Sequence, residues 1–297
     1  MKIVRNSAKM AELSRQIRST ELRLGFVPTM GFLHQGHLEL VRESGRRCDA
    51  TVASIFVNPT QFNQHDDFEA YPRDEQRDLD LLADAGVEIA FVPTPAEVYP
   101  AGAATTVSVA GLDHGLCGPG RPGHFDGVAT VVAALFNIVA PDLAVFGEKD
   151  YQQLQIIRRM TTDLRMGVEI VGIPTVREAD GLALSSRNAR LSPAQRAQAP
   201  AIYRALEAAA RAFDGGQNES EALVQCARRV LAEAGLELEY LELVDGQTLE
   251  PLSHASRGSV LAAAVCFGAV RLIDNLVLGR DCQEKHKQTD VRLAHAG

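Results

Sequence analysis

The sequence predicts an α/β fold in which a domain built on a parallel sheet precedes a smaller α+β domain. In the first half of the 297-residue chain, short apolar runs of strand length alternate with longer runs of helical periodicity. Strands that alternate with helices form βαβ units, which place the strands parallel to one another. After about Val176 the order changes, and Ala-rich helical runs come before strand-like runs. Helices followed by strands are typical of an α+β domain.

Residues 1–175 are predicted to form the N-terminal domain, with a Rossmann-like parallel sheet. The apolar runs predict strands at 22–27, 50–57, 89–92, 143–146 and 169–176. The periodic runs between them predict helices at 36–47, 74–85, 127–140 and 151–164. The predicted helix at 127–140 consists mainly of apolar and small residues, so it is expected to be buried.

Residues 176–280 are predicted to form the second domain. Ser192 is a candidate N-cap and Pro193 suits the first helical turn, so a helix begins there. Helices are predicted at 193–213 and 219–234, and strands at 236–244, 259–267 and 269–278. The polar residues 281–297 are expected to be a disordered tail.

The composition excludes several classes of protein. The net charge is −8, which makes the chain a poor general binder of nucleic acid. The five cysteines are odd in number and widely spaced, which argues against a disulfide framework or a zinc site and for a reducing compartment. The N-terminus lacks a signal-peptide core, and the densest apolar run, 258–269, is too short to span a membrane. We expect a soluble, cytoplasmic protein with neither nucleic acid nor membrane as a partner.

Polar groups follow three of the predicted strands. Two histidines follow the strand at 22–27, the segment Asn58-Pro59-Thr60-Gln61 follows 50–57, and Gly147-Glu148-Lys149-Asp150 follows 143–146. Ligands of parallel α/β sheets lie beyond the carboxyl ends of the strands. The three segments are therefore predicted to meet at one crevice.

The two histidines, His34 and His37, stand in the segment PTMGFLHQGH between a strand and a helix. Their spacing puts both imidazoles on one helix face, where free backbone N–H groups and the helix dipole attract anions. The segment predicts a phosphate site. The alternative is a pair of histidines that are solvated or satisfied in the core, but the Gly hinges and the flanking strand favour the phosphate site.

Lys149 is a candidate cation for phosphate chemistry, because a loop lysine after an apolar strand can place its charge on an oxyanion. The alternative is a lysine paired with Glu148 or Asp150. In Leu184-Ser185-Ser186-Arg187-Asn188, two hydroxyls and a guanidinium suit triphosphate oxygens. The alternative there is an N-cap and a surface arginine.

Two further segments have open interpretations. The amides of Gln61 and Gln155 can donate and accept together, which suits a small hydroxy acid, although surface glutamines are common. The segment 115–127, GLCGPGRPGHFDG, has five glycines and contains Arg121 and His124. It is either an active-site lid or a plain connector.

An acidic group of residues accompanies the predicted helix at 74–85. A solvated helix face is the simpler interpretation, and Mg²⁺ on phosphates needs only one or two protein carboxylates. The acidic group consists of Asp66, Asp67, Glu69, Asp74, Glu75, Asp78, Asp80 and Asp84.

Three common motifs are absent or lack their usual structural context. The Gly-rich segment does not end in the G-K-[ST] of a Walker A loop, and no G-x-G-x-x-G follows a first strand. The G-x-S-x-G elbow is absent too, so Ser185 and Ser186 are not predicted to be nucleophiles.

Taken together, these segments resemble the pantoate–β-alanine ligases, a family of the nucleotidyltransferase-like superfamily with an HxGH motif. The matching stretches are PTMGFLHQGH, SIFVNPTQF, YPRD, RPGHFDGVATVV, FGEKDYQQLQIIR and DGLALSSRN. They span about residues 26–190 in the family's order and spacing, and the later half matches best at RLIDN, residues 271–275.

The resemblance implies an ATP-dependent, AMP-forming condensation of pantoate with β-alanine, within pantothenate and coenzyme A biosynthesis. The carboxylate of pantoate would attack the α-phosphate of Mg-ATP to give pantoyl adenylate and pyrophosphate. The amine of β-alanine would then attack the activated carbonyl and release pantothenate and AMP. The family is usually dimeric, so the resemblance also implies a homodimer.

The resemblance assigns roles to individual residues. His37 matches the residue usually assigned as proton donor; a carboxylate nucleophile has no proton to remove, so stabilising phosphate charge is the other role open to it. His34, Lys149 and Arg187 complete the implied catalytic set. ATP binding falls on Met30, Gly31, Phe32, Leu33, His34, Gln35, Gly36, His37, Gly147, Glu148, Lys149, Asp150, the backbone of Val176, Leu184, Ser185, Ser186 and Arg187.

The resemblance also implies a site for the two organic substrates. Gln61 matches a residue shared by pantoate and β-alanine, Gln155 matches a second pantoate contact, and Val131 and Val132 would line the methyl groups. Asp78 is the acidic match for the family's Mg²⁺ neighbours, whereas Arg77 and Leu81 replace polar partners present in some members.

Two other functions are compatible with the fold. One is a cytidylyl- or adenylyltransferase that stops after nucleotide transfer, against which the GEKDYQQL and FVNPTQF segments argue. The other is a nucleotide-binding regulator without activity. Such a regulator would be expected to lack Lys149 or one of the histidines, and all three are present.

Overall fold

Nine strands form two separate sheets in the computed structural model, which describes residues 1–63 and 68–280. The first sheet has six parallel strands in the order β1-β4-β3-β2-β5-β6. The strands are β1 Lys2–Val4, β2 Leu24–Thr29, β3 Ala50–Ile55, β4 Ile89–Phe91, β5 Leu143–Gly147 and β6 Glu169–Ile173. The strand order reverses at β2, which has β3 on one side and β5 on the other, and such a reversal opens a crevice at the carboxyl ends of the strands.

Six α-helices in the described residues accompany this sheet. They are α1 Ser7–Arg18, α2 Gln35–Arg47, α3 Glu75–Asp84, α4 Pro95–Val98, α5 His124–Val139 and α6 Tyr151–Asp163. Short 3₁₀ turns follow β3 at Pro59–Gln61 and β5 at Glu148–Asp150. The core between sheet and helices is aliphatic, with Val27, Leu82 and Val145 fully buried in it.

The second sheet belongs to a separate, smaller unit. Its strands, β7 Glu237–Val244, β8 Val260–Phe267 and β9 Val270–Val277, are antiparallel. Helices α7 Pro193–Gln198, α8 Ala201–Asp214 and α9 Ser220–Glu233 precede them. Small side chains such as Ala205 and Ala263 are completely buried in its core, so helices and sheet approach closely.

The two sheets confirm the predicted fold class, an α/β domain with a parallel sheet and a smaller α+β domain. Among the described residues, the first compact unit contains Met1–Thr175 and also Leu184–Ser186, and the second contains Val176–Ala183 and residues 187–280. The segment Leu184–Ser186 thus groups with the first unit, whereas the sequence predicted it in the second. The predicted tail at 281–297 and the acidic residues Asp66 and Asp67 lie outside the described residues.

Proline accounts for three differences between predicted and observed elements. Strand β2 continues through Pro28, which pairs with β3 but lies beyond the stretch that pairs with β5, so its missing N–H costs little. Strand β6 ends just before Pro174, and the helix predicted at 193–213 is divided at Pro200.

Three elements of the first unit, β1, α1 and the four-residue α4, are absent from the sequence prediction. Strand β1 has three residues and lies at the sheet edge, where periodicity carries little signal. Helix α1 is mostly polar, but Asn6 caps it by accepting the N–H of Lys9, and that capping residue was the available signal. Helix α5 also begins three residues earlier than predicted, at His124.

None of the helices in residues 1–63 and 68–280 combines the length and hydropathy that crossing a bilayer requires.

Candidate active site

The loop between β2 and α2 has a tightly held, unusual backbone. Gly31 and Phe32 both have positive φ, +79° and +50°, and Phe32 is a residue type that rarely adopts this conformation. The Asp78 carboxylate, from α3, accepts the backbone N–H groups of Phe32 at 2.6 Å and Leu33 at 2.7 Å. Asp78 is only 1% exposed. The loop is therefore fixed by a buried carboxylate before any ligand binds.

This contact gives Asp78 a structural role beside the predicted one as a Mg²⁺ neighbour. Both carboxylate oxygens already accept backbone N–H groups, and burial raises the pKa of Asp78 against the lowering effect of those two hydrogen bonds. Within residues 1–63 and 68–280 there is no group of three His, Cys, Asp or Glu side chains placed to hold a metal ion. Asp78 is a loop anchor in this structure.

His34 and His37 are joined through their own backbone. His34 is the N-cap of α2, and its Nδ1 accepts the N–H of Gly36 at 3.1 Å. The Nδ1 of His37 in turn accepts the N–H of His34 at 3.2 Å. A neutral imidazole that accepts at Nδ1 carries its proton on Nε2. Both rings therefore have an Nε2–H donor available for a ligand.

Both imidazoles are neutral at physiological pH. Burial, assisted by the charge of Lys149, lowers the pKa of His34 to about 4. Burial also lowers the pKa of His37 well below its ordinary value, with further contributions from His34 and Lys149. The ring centroids are 4.0 Å apart, so charging both rings at once would be costly. The pair is suited to donating hydrogen bonds to phosphate rather than to acting as cations.

Lys149 places a positive charge beside the two imidazoles. It lies in the 3₁₀ turn after β5, its side chain is 18% exposed, and its charge acts on both imidazoles. Its Nζ is 4.0 Å from Oδ1 of Asp150. Both interpretations of Lys149, the site cation and the paired lysine, therefore stay open.

Gln61 projects from the 3₁₀ turn after β3 and is held by Asn58. The Nδ2 of Asn58 donates to Oε1 of Gln61 at 3.0 Å and to the carbonyl of Gly127 at 3.1 Å. The Oδ1 of Asn58 accepts from Thr60 and, at 2.7 Å, from the hydroxyl of Tyr99. Since the oxygen of the Gln61 amide is used, its Nε2 remains the donating end, and that nitrogen faces the weak acceptor Sδ of Met30 at 3.0 Å.

Gln155 provides a second buried amide. It lies on α6 and is 7% exposed, and its Nε2 has no hydrogen-bond partner in the described part of the chain. A buried donor without an acceptor is costly unless a ligand satisfies it. The predicted apolar contacts Val131 and Val132 are buried on α5, 6% and 4% exposed.

The segment Leu184–Ser186 contacts the loop that precedes α2. The hydroxyl of Ser186 donates to the carbonyl of Phe32 at 3.2 Å. A Cβ on Gly36 would stand 3.8 Å from Cβ of Leu184. The two predicted ATP segments around residues 30–37 and 184–186 are therefore adjacent. Val176 and Arg187, the other predicted ATP contacts of this region, belong to the second unit.

The sequence prediction missed the supporting residues around these groups. The sequence pattern does not mark Tyr99, and it shows Asn58 only as a polar residue at a strand end, although Asn58 organises the turn of Gln61. The available signal was an Asn directly before Pro59, a pair typical of turn initiation.

The chain is similar to proteins of a known family. The model of the family described as pantoate-beta-alanine ligase matches residues 2–277. Pantothenate synthetase of Pelobacter propionicus is 50% identical over 280 residues, which cover 94% of this chain and 99% of the relative. Pantothenate synthetase of Syntrophotalea carbinolica is 51% identical over 276 residues, 93% of this chain and 98% of the relative.

Solved structures agree with these matches. The crystal structure of pantothenate synthetase from Thermus thermophilus has a TM-score of 0.87 and 47% identity. The match covers 93% of this chain and 99% of the chain in that crystal structure. Pantoate-beta-alanine ligase from Francisella tularensis, complexed with beta-gamma ATP and beta-alanine, has a TM-score of 0.78 and 34% identity. The match covers 93% of this chain and 97% of that structure's chain. Because both the family model and full-length relatives match nearly all of the sequence, the chain belongs to the pantoate-beta-alanine ligase family.

Proposed function

We propose that this protein condenses pantoate with β-alanine at the expense of ATP, forming pantothenate, AMP and pyrophosphate through a pantoyl adenylate. The observation that carries the proposal is the arrangement of two neutral imidazoles beside Lys149 at the reversal point of the sheet. Family membership and the Francisella tularensis relative complexed with an ATP compound and β-alanine support the same reaction.

In the first step, a carboxylate oxygen of pantoate attacks the α-phosphorus of ATP. The new O–P bond forms as the bond from Pα to the bridging oxygen breaks, and pyrophosphate leaves with the bonding electrons. Negative charge grows on the phosphate oxygens, where the Nε2–H groups of His34 and His37 and the Lys149 ammonium stabilise it. A neutral His34 with a pKa of about 4 in the free protein donates a hydrogen bond and keeps its proton.

In the second step, the neutral amine of β-alanine attacks the acyl carbon of the adenylate. The C–N bond forms, the bond from the acyl carbon to the phosphate oxygen breaks, and AMP leaves. The amine nitrogen gives up one proton to the departing phosphate as the amide forms. Holding the adenylate away from water prevents its hydrolysis before β-alanine arrives.

Pantoate is placed by amides and apolar side chains. The Nε2 of Gln61 donates only to the weak acceptor Sδ of Met30, and the Nε2 of Gln155 has no acceptor among the described residues. Both donors suit the carboxylate and hydroxyl oxygens of pantoate. Val131 and Val132 present aliphatic surface to its methyl groups. The backbone of Val176 is proposed to meet adenine, and Leu184, Ser185, Ser186 and Arg187 to close over the phosphates, with the domain 176–280 acting as a lid.

Mg²⁺ is proposed to enter as part of Mg-ATP. The anchoring of Asp78 leaves it a poor ligand, and Mg²⁺ is usually held by substrate phosphates and water with few protein contacts. We also propose a homodimer, on the basis of the family resemblance. The widely spaced cysteines and the use of ATP support a cytoplasmic location.

The test supplies the protein with Mg-ATP, pantoate carrying ¹⁸O in its carboxylate, and β-alanine. We expect AMP and pantothenate in equal amounts, with one ¹⁸O in the phosphate of AMP, because the attacking oxygen stays on phosphorus when AMP leaves. Release of ADP, or AMP formation without pantoate, would contradict the proposal. Transfer of a nucleotide to a phosphorylated acceptor without amide formation would instead indicate a nucleotidyltransferase.

A further inference from the structure

We propose that His124, together with Arg121, is a positioning residue that fixes Gln61 for binding of the two organic substrates. The inference rests on the proposed function, since it concerns the role of Gln61 in that site. It assigns a task to the Gly-rich segment 115–127, for which the sequence left a lid and a plain connector open.

The ring of His124 connects Arg121 to the backbone of Gln61. Its Nδ1 lies 2.7 Å from the carbonyl oxygen of Gln61, and its Nε2 lies 2.9 Å from Nη1 of Arg121. The Nη2 of Arg121 also donates to the same carbonyl, at 3.3 Å. The carbonyl of Gln61 therefore accepts from both residues.

The partners of the ring determine its protonation. A carbonyl oxygen can only accept, so Nδ1 of His124 must carry a proton. A guanidinium can only donate, so Nε2 must be the unprotonated acceptor. His124 is consequently a neutral ring in one tautomer, and it is 6% exposed. A group with both nitrogens engaged in this way is suited to positioning rather than to proton transfer.

The turn that carries Gln61 is held from the other side by the backbone of α5. A Cβ on Gly127 would lie 2.4 Å from the carbonyl oxygen of Thr60 and 2.9 Å from Cα of Gln61. Asn58 links the same turn to the carbonyl of Gly127 and orients the Gln61 amide. With His124 on its carbonyl, the Gln61 residue is fixed at both backbone and side chain.

The contacts of this assembly differ from those of the phosphate site. These hydrogen bonds of His124 and Arg121 reach Gln61, whereas the loop of His34 and His37 is anchored by Asp78. Loss of the His124 contact should therefore weaken binding of pantoate and β-alanine and leave binding of ATP unchanged.

Two substitutions separate the two hydrogen bonds of the ring. In His124→Asn the amide Nδ2 takes the place of Nδ1, so the donor to Gln61 is kept. In His124→Gln the amide lies where Nε2 was, so the contact with Arg121 is kept and the donor to Gln61 is lost. His114→Gln is the matched control, because the side chain of His114 is 79% exposed. KM and kcat are measured separately for pantoate, β-alanine and ATP.

We expect His124→Gln to raise KM for pantoate about tenfold, the size of one lost buried hydrogen bond, with KM for ATP changed less than about twofold. His124→Asn should restore KM for pantoate to within about threefold of wild type, and His114→Gln should match wild type. Equal effects of Asn and Gln, or equal rises in KM for ATP and pantoate, would overturn the positioning role.

A second variant covers the case in which His124→Gln does not fold. Arg121→Met keeps the aliphatic stem of the half-buried arginine and removes both of its donors, and it should raise KM for pantoate but not for ATP. A wild-type KM for pantoate in that variant would overturn the proposal. If the wild-type protein forms no AMP in a pantoate-dependent manner, the proposed function itself fails. If the wild type turns over normally and the variants have unchanged KM values, only the positioning role fails.

Discussion

The Nδ1 atom of His37 accepts the backbone N–H of His34 at 3.2 Å, so the orientation of the second imidazole depends on the backbone of the first. His34 repeats the arrangement with the N–H of Gly36. The first turn of α2 thus uses two imidazoles in the place where Ser, Asp or Asn side chains usually cap a helix. Capping and ligand binding are divided between the two nitrogens of each ring.

This arrangement predicts an acid-sensitive stability. The pKa of His34 is about 4 in the folded chain and 6.5 in the unfolded chain, so the unfolded state binds more protons between these values. The free energy of unfolding should rise with pH from 4 to 6.5, and this stability is lost as pH falls through that window. Urea unfolding at a series of pH values measures it.

His34→Asn is the control for the pH dependence. Asparagine keeps a side-chain oxygen to cap α2 but does not titrate. The variant should show a shallower dependence between pH 4 and 6.5 than the wild type. An unchanged slope would show that His34 is not the titrating group, and NMR titration of the imidazole would check the pKa directly.

Removal of Lys149 should impair adenylate formation without unfolding the protein. Lys149→Ala is expected to lower the rate of pantoate-dependent pyrophosphate release about 100- to 1000-fold, the cost of removing a preorganised oxyanion stabiliser. Lys9→Ala is the matched control, because Lys9 is half-exposed and pairs with Glu12 on the helix surface. Near-normal pyrophosphate release by Lys149→Ala would refute the role.

Replacement of Asp78 should separate loop anchoring from metal binding. Asp78→Ala leaves the N–H groups of Phe32 and Leu33 without their acceptor, so we expect a loss of about 2–4 kcal/mol in unfolding free energy and a higher KM for ATP. The Mg²⁺ concentration for half-maximal activity should stay the same. The same Mg²⁺ titration is made with Asp78→Asn, which keeps the size of the side chain. A clear increase in the half-maximal Mg²⁺ concentration of that variant would indicate that Asp78 ligates the metal.

Gly127 is predicted to tolerate no side chain. The Cβ of Gly127→Ala would lie 2.4 Å from the carbonyl oxygen of Thr60, a backbone atom that cannot move without displacing the Gln61 turn. We expect a loss of about 1–3 kcal/mol in unfolding free energy and a raised KM for pantoate.

Gly45→Ala is the comparison for Gly127→Ala. Gly45 lies within α2, and its added Cβ would meet nothing within 4 Å. This variant should gain about 0.5–1 kcal/mol, because alanine loses less backbone entropy than glycine in a helix. Thermal unfolding of both variants measures the difference, and an equally stable Gly127→Ala would contradict the close approach.

The regular elements of the fold were predictable because their signals are local. A buried strand such as β3 is a continuous apolar run, and a helix such as α3 has a capping residue, Asp74, before its first turn. Local signals failed where the length of a strand depends on the strands that pair with it. Strand β2 continues past Pro28 because β3 pairs with it there and β5 does not, and the segment's own sequence does not contain this information.

The sequence by itself determined the parallel sheet, the grouping of polar segments at its strand ends, and the family, because strand-end residues and motif spacing are written along the chain. The tertiary structure alone decided which contacts each group makes. Asp78 anchors a loop and His124 contacts the turn of Gln61, because these contacts involve backbone N–H and carbonyl groups 45 to 63 residues away. Likewise the sequence placed His34 and His37 in a predicted phosphate site, but only the structure shows that burial and Lys149 lower the pKa of both imidazoles.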